Sequence, residues 1–181
     1  MRGNSVIDGD DDLPGSSRWP VAIFRPGANP LESLAVALSA RPGVGNSPAA
    51  LIDLISTLKK NENALHLTTC LTLAQAALEC RLVLLVDQFE EVFTLCSNEG
   101  LRSAFIANLL YAAKVAQGQT LVILTMRADF YAKCAANAEL AAALSDHHVL
   151  VGPMTEDELR RAIEKHRLFA SGSDRAAERW L

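Results

Sequence analysis

Leu82-Val83-Leu84-Leu85-Val86-Asp87-Gln88-Phe89-Glu90-Glu91 is the stretch on which the fold turns. Leu82 to Val86 is an uninterrupted run of leucine and β-branched residues, too short for a core helix. Such a run, buried on both faces, is what a central parallel strand between helices looks like. It ends abruptly on Asp87, and two more carboxylates follow within five residues. The end of a buried strand is a costly place for charge unless the charge is used or paired.

Outward from this strand the pattern alternates. Upstream, Trp19 to Arg25 reads as a short strand closed by Pro26-Gly27, and Asn29 and Pro30 open a helix through Leu31, Leu34, Ala35 and Leu38. A Gly/Pro loop over 41–48 leads to a second helix (Leu51, Ile52, Leu54, Ile55, Leu58), and a third is expected from Thr69 to Glu79. Downstream, a helix spans Leu101 to Gln117, its face made of Phe105, Leu109, Ala112 and Ala116 and widened by Leu110 and Ala113. Leu121 to Met126 reads as another buried-type strand ending at Arg127, and 131–144 as one alanine-rich helix. His148 to Val151 is a short strand, and Thr155 with Glu158 forms a capping box at the start of a last helix. Strand and helix alternation of this kind predicts a three-layer α/β domain with a mostly parallel sheet. Ligands in such sheets bind at the carboxyl ends of the strands, where Asp87 and Arg127 sit.

The 181 residues are half hydrophobic and 21% charged, with a net charge of −4. A chain of this length buries roughly 70% of its unfolded surface, so wholesale disorder is excluded. The acidic balance argues against a nucleic-acid partner. No apolar run is long enough for a membrane span, and the N-terminus has no signal-peptide pattern. Cys70, Cys80, Cys96 and Cys134 show no CxxC spacing, so they read as reduced thiols of a cytoplasmic protein. Residues 1–18 read as a flexible acidic leader. Their Asp8, Asp10, Asp11 and Asp12 lack EF-hand spacing.

Two strand ends carry the candidate chemistry. A hydrophobic strand ending in Asp is the physical form of a Walker B motif, whose carboxylate holds Mg²⁺ through water opposite nucleotide phosphates. A glutamate one turn on, Glu90 or Glu91, would order or deprotonate the attacking water; spacing does not choose between them, and Glu91 is taken slightly ahead. The plainer alternative is that Asp87 caps a turn and the glutamates are solvated. At the second end, Arg127 matches a γ-phosphate by its planar fork, with Thr125 placed to bond the phosphate or the water. Its alternative is an ion pair from Arg127 to Asp129 or Glu90 that ties down a loop. His66, in a polar connector, and the His147-His148 pair assemble no site with Cys134. A phosphate loop is not found: the glycines of 41–48 have no lysine at the following helix, Lys59-Lys60 has no glycine, and Gly100 stands alone.

The motifs quoted above resemble a family. LVLLVDQFEEVFTLC (82–96) is similar to the Walker B region of the STAND-class NTPases, and of the bacterial novel STAND NTPase 1 family in particular. LVILTMRADFY (121–131) resembles that family's sensor strand. VLVGPMTEDELRRAIE (149–164) resembles its exit into a helical region, and RWPVAIFRPGANPLESLAVAL (18–38) its second strand and helix.

The resemblance implies a P-loop NTPase-like fold of the AAA+/STAND type, incomplete here, with a partial core over 19–154 and the start of a helical region and a divergent tail over 155–181. It implies that Asp87 is the Mg²⁺ acid, Glu90 and Glu91 the pair that positions water, and Arg127 the sensor arginine beside Thr125. Family members are large signalling ATPases that use ATP and Mg²⁺, self-associate in a nucleotide-dependent way and often carry WD40 repeats or other sensor and effector modules. The expectation for this chain is a fragment with no Walker A element, inactive in hydrolysis by itself and marginal in stability because a central strand is absent. Its expected partners are a missing N-terminal phosphate-loop segment and C-terminal sensor or effector modules. Two other expectations stand beside it: a non-catalytic interaction module that retains the fold, and a metal-dependent hydrolase built on Asp87 and Glu90.

Overall fold

A computed structural model describes residues 16–170 apart from 42, 43, 46, 75 and 77–79, with side chains to residue 164. The first part of the acidic leader, the tail from Ser171 and the expected end of the third helix at Glu79 lie outside the described residues. The chain divides into two compact units after Asp146.

The first unit is α/β with a parallel sheet. Its elements are β1 (Val21–Phe24), α1 (Pro30–Ser39), α2 (Pro48–Lys60), α3 (Ala64–Thr72), β2 (Leu82–Val86), α4 (Glu91–Thr94), α5 (Glu99–Lys114), β3 (Thr120–Leu124), α6 (Tyr131–Cys134) and α7 (Ala138–Asp146). The strands lie in the order β1-β2-β3, both pairs parallel, with Phe24, Val86 and Leu124 in one row. β1 and β2 are each left by a chain that crosses over through helices before the next strand begins, as parallel pairing demands.

Alternation along the strands separates two faces. Ala22, Leu82, Leu84 and Val86 are buried on the inner face, with Phe24, Val122 and Leu124 packed partly against the same core. That core is closed by Leu31, Leu34 and Leu38 of α1, Leu58 of α2, Leu65 of α3, and Phe105 and Leu109 of α5. The other face carries Val21, Val83 and Leu121 in one row and Ile23, Leu85 and Ile123 in the next. It is left largely open, with Ile23 51% and Ile123 42% exposed. The expected third layer is thus not supplied by the described residues. β2 is central but packed on one face, in place of burial on both, and β1 and β3 each have an outer edge that no described strand pairs.

Several helix boundaries differ from the sequence pattern. α2 begins at Pro48 because the Ser47 side chain accepts from the Ala50 N–H at 3.2 Å. α3 starts five residues before the expected Thr69, so His66 is helical and touches the Tyr111 ring. Its start is fixed from a distance: buried Asn108 of α5 accepts from the Leu65 N–H through Oδ1 and donates to Leu58 O through Nδ2. α5 runs from Glu99, capped by Asn98, and stops at Lys114, which leaves Ala113 and Ala116 exposed and outside the packed face. The expected helix over 131–144 is two, α6 and α7, because Asn137 caps a fresh start through the Leu140 N–H at 3.0 Å.

In the second unit, His148 to Val151 forms no strand, a correction to the sequence pattern. Val149, Leu150 and Val151 are 79–89% exposed. A strand exists only as a member of a ladder, and these residues join none. α8 (Glu156–Ala170) begins at the capping box as expected: Thr155 N–H donates to Glu158 Oε2 at 2.8 Å and Glu158 N–H to Thr155 Oγ1 at 3.3 Å. The Thr155 N–H and, at 3.0 Å, the Thr155 hydroxyl both donate to Glu158 Oε2, and they hold the Glu158 carboxyl below its usual range. No described helix is long and apolar enough to cross a membrane.

Candidate functional site

The register that aligns Phe24, Val86 and Leu124 also aligns the residue after each. Asp87 N–H donates to Phe24 O and Thr125 N–H to Val86 O, so the ladder continues one step past the strands. Arg25, Asp87 and Thr125 therefore stand side by side at the carboxyl edge. By alternation, this polar row caps the open apolar face rather than the packed one.

Asp87 is the centre of the row. Thr125 Oγ1 donates to its Oδ1 at 2.6 Å, and Arg25 Nε donates to its Oδ2 at 3.2 Å. Both partners favour the charged carboxylate. They hold the Asp87 carboxyl below its ordinary range, the hydrogen bond from the Thr125 hydroxyl being the largest single cause, with partial burial opposing it and the Arg25 hydrogen bond and charge adding to it. A depressed value means that the unfolded chain takes up the proton first. The stability from this row is present above the unfolded value of about 3.9 and is lost as pH falls through the folded one. Carboxyl-carbon NMR titration of Asp87 should give a midpoint below that of an exposed aspartate. Thr125→Val and Arg25→Gln should each raise it, and a midpoint unchanged in both variants would contradict the row.

The turn after Asp87 is unusually restrained. Gln88 has φ of 53°, a left-handed conformation that costs a non-glycine residue about 1–3 kcal/mol. It is held there by two bonds to one residue: Gln88 N–H to Thr125 Oγ1 at 3.1 Å and Phe89 N–H to Thr125 O at 2.8 Å. Phe89 is fully buried between Phe93, edge-on at 5.8 Å, and Phe105, stacked at 6.4 Å. Arg102 of α5 ties down the far end, donating to Val92 O at 3.0 Å and Cys96 O at 2.6 Å.

The two glutamates part company here. Glu91 Oε2 accepts from the Gly27 N–H at 3.0 Å, a bond that reaches back to the β1–α1 turn. Glu90 Oε2 is buried and has no hydrogen-bond partner among the described residues. Arg127 is not joined to either. It makes a two-pronged pair with Asp129, at 3.1 and 2.9 Å, which is the loop-tying alternative of the sequence pattern, and its side chain is 70% exposed. Asp87, Thr125, Glu90 and Glu91 thus gather around one turn, while Arg127 stands at the same edge turned to its own carboxylate. Phe130-Tyr131 lies on the short helical turns that follow it.

Arg25 and Gly27 were not legible as site residues. Arg25-Pro26-Gly27 reads in sequence only as the stop of a strand. The parallel register alone puts its arginine beside Asp87.

Among the described residues no group of three or more His, Cys, Asp or Glu could hold a metal ion. Asp87 supplies one carboxylate. That fits a Mg²⁺ that keeps most of its waters and takes further oxygens from phosphates, and it does not fit a cation caged by protein alone. All four cysteines are free, and burial pushes the Cys134 thiol up. The described residues also form an open groove of about 610 Å³, lined in part by Glu62, Tyr111, Lys114 and Glu139, which shares no residue with the strand-end row.

The family model described as Novel STAND NTPase 1 matches residues 5–169, most of the chain. No curated protein and no solved structure matches.

Proposed function

The chain belongs to the Novel STAND NTPase 1 family, and on that premise we propose that residues 19–154 are the Walker B and sensor half of an ATP-dependent signalling switch. Asp87 is the acid that carries Mg²⁺ through water. Arg127, freed from Asp129, meets the terminal phosphate. Thr125 holds Asp87 and the Gln88 turn in place. For the group that orients water we choose Glu90, since Glu91 is engaged by the Gly27 amide whereas a Glu90 oxygen is buried without a partner among the described residues. When bound, Mg²⁺ and ATP supply the scissile phosphate and the charge that polarises it.

The single observation that carries this proposal is the Arg25–Asp87–Thr125 row at the rim of an open apolar face. The 181 residues contain no Gly-Lys-Ser or Gly-Lys-Thr, so phosphate-binding amides have to come from another segment. The sheet supports a definite place for it. Both crossovers, β1 to β2 and β2 to β3, run in one direction and put their helices on one face. With right-handed crossovers, a helix on the open face must belong to a crossover running back the other way. A strand beside β3 followed by a helix that returns toward β1 meets that condition. Its helix would cover Ile23, Leu85 and Ile123 and bring its N-terminus, where anions bind, near Asp87. Nucleotide-dependent self-association and sensor or effector modules in the longer protein are part of the same proposal.

The test begins with the DNA upstream of the Met1 codon. An in-frame apolar strand, a Gly-Lys-Ser or Gly-Lys-Thr loop and a helix are expected there. In the protein that includes them, D87A and E90Q should each lower ATP turnover by about 10²–10⁴-fold, and E91Q by less. The 181-residue chain alone should show no saturable Mg·ATP binding. Absence of such a segment in every frame would instead favour the non-catalytic interaction module.

A further inference from the structure

The β1–α1 turn grips both ends of the acidic turn, and nothing in the proposed chemistry requires that it should. Arg25 Nε donates to Asp87 Oδ2 at 3.2 Å, and two residues on, the Gly27 N–H donates to Glu91 Oε2 at 3.0 Å. The turn is built to present these two groups. Pro26 fixes its own φ, Ser33 Oγ of α1 donates to Pro26 O at 3.0 Å, and Gly27 takes φ of 61°, open to glycine and strained for other residues. The ion pair itself is loose. It uses Nε alone, in contrast to the two-pronged Arg127–Asp129 pair, and its side chains are 61% and 37% exposed.

We propose that Arg25-Pro26-Gly27 is a latch over the acidic turn, and that the Arg25 guanidinium is a resident cation which a divalent metal must displace from Asp87. This rests on the assignment of Asp87 as the metal acid. Arg25 and the metal with its water shell compete for one carboxylate because both are positive and Arg25 holds Oδ2, the oxygen that Thr125 does not take. Thr125 occupies the other oxygen and is compatible with either. An exposed single-pronged pair is weak, so the latch opens at small cost once a stronger cation arrives. The Gly27–Glu91 bond keeps the turn nearby, ready to close again.

The test uses the 181-residue chain and Mn²⁺ alone, followed by the paramagnetic broadening of the Asp87 and Gln88 amide signals, for which weak binding is enough. Arg25→Gln should reach half-broadening at about five-fold lower Mn²⁺ than the wild type, the upper end for an exposed ion pair. R25K, which keeps the charge, should stay near the wild type, and D87N should show no broadening at these amides. If R25Q needs the same or more Mn²⁺ while D87N abolishes the effect, the latch is overturned and Asp87 remains a metal acid. If no protein shows Asp87-dependent broadening, the latch and the metal assignment fall together. A second measurement needs no variant. In the wild-type chain, Mg²⁺ should shift the Arg25 Nε–H and Asp87 signals in concert, and a shift of Asp87 alone refutes the latch.

Discussion

Phe89→Ala should cost the fold about 3–5 kcal/mol and set the acidic turn loose. Phe89 is fully buried, and its ring sits between those of Phe93 and Phe105, so truncation leaves a cavity walled by two aromatic rings that have no easy way to collapse. The effect goes beyond packing because Phe89 follows Gln88, whose left-handed backbone is held against its own preference. Without the buried ring, two hydrogen bonds to Thr125 are left to hold that conformation. Thermal unfolding gives the stability loss. Amide exchange at Gln88 reports the local release, and it should accelerate more than exchange in α2. Phe89→Leu, which keeps most of the volume, should cost about 1–1.5 kcal/mol and leave Gln88 protected. A loss under about 1 kcal/mol in F89A would mean that the turn is held without its anchor.

Asn108→Ala is expected to cost roughly 3 kcal/mol, a fall in Tm of about 6–12 °C for a domain of this size. Asn108 is fully buried at the middle of α5 and spends its amide on two other helices: Oδ1 on the Leu65 N–H at 3.1 Å and Nδ2 on Leu58 O at 2.8 Å. Leu65 lies in the first turn of α3, where a helix has amides with no partner of its own, and Leu58 lies in the last turn of α2, where carbonyls are left over. One side chain therefore satisfies the end of one helix and the start of the next. Alanine removes it and strands both groups out of water. Calorimetry on N108A measures the loss, and hydrogen exchange should show the first turn of α3 opening ahead of β2. Uniform loss of protection, or a cost below about 1 kcal/mol, would contradict the bridging role.

These two residues mark the limits of the sequence. Phe89 was visible in the quoted stretch, but only as one letter between acids; its burial follows from the turn that swings it beneath β2. Asn108 sits on the face of a helix that reads as Phe105, Leu109 and Ala112, and a polar residue in that stripe gave no sign that it would set where α3 begins. For the same reason the third helix was expected to start at Thr69 when it starts at Ala64. The pattern of α3 is local and permissive, whereas its first turn is decided by a side chain 43 positions away. Arg25 was hidden in a similar way. Proline and glycine after it signal a stop, and only the parallel register brings its guanidinium to Asp87.

What the sequence determined by itself was what depends on short range. Runs of apolar residues became β1, β2 and β3, the Thr155–Glu158 box started α8, and the jump from Val86 to Asp87 marked the edge where polar groups collect. Each of these follows from neighbours a few residues apart. Tertiary structure decided the rest. It chose which face of the sheet is packed, split the alanine-rich stretch at Asn137, denied His148 to Val151 a ladder, turned Arg127 to Asp129, and gave Glu91 a partner while leaving a Glu90 oxygen without one among the described residues. The physical reason is common to all of them. A strand needs an edge, an apolar face needs a cover, and a carboxylate takes the nearest donor, and which group stands nearest is settled only when distant segments are brought together.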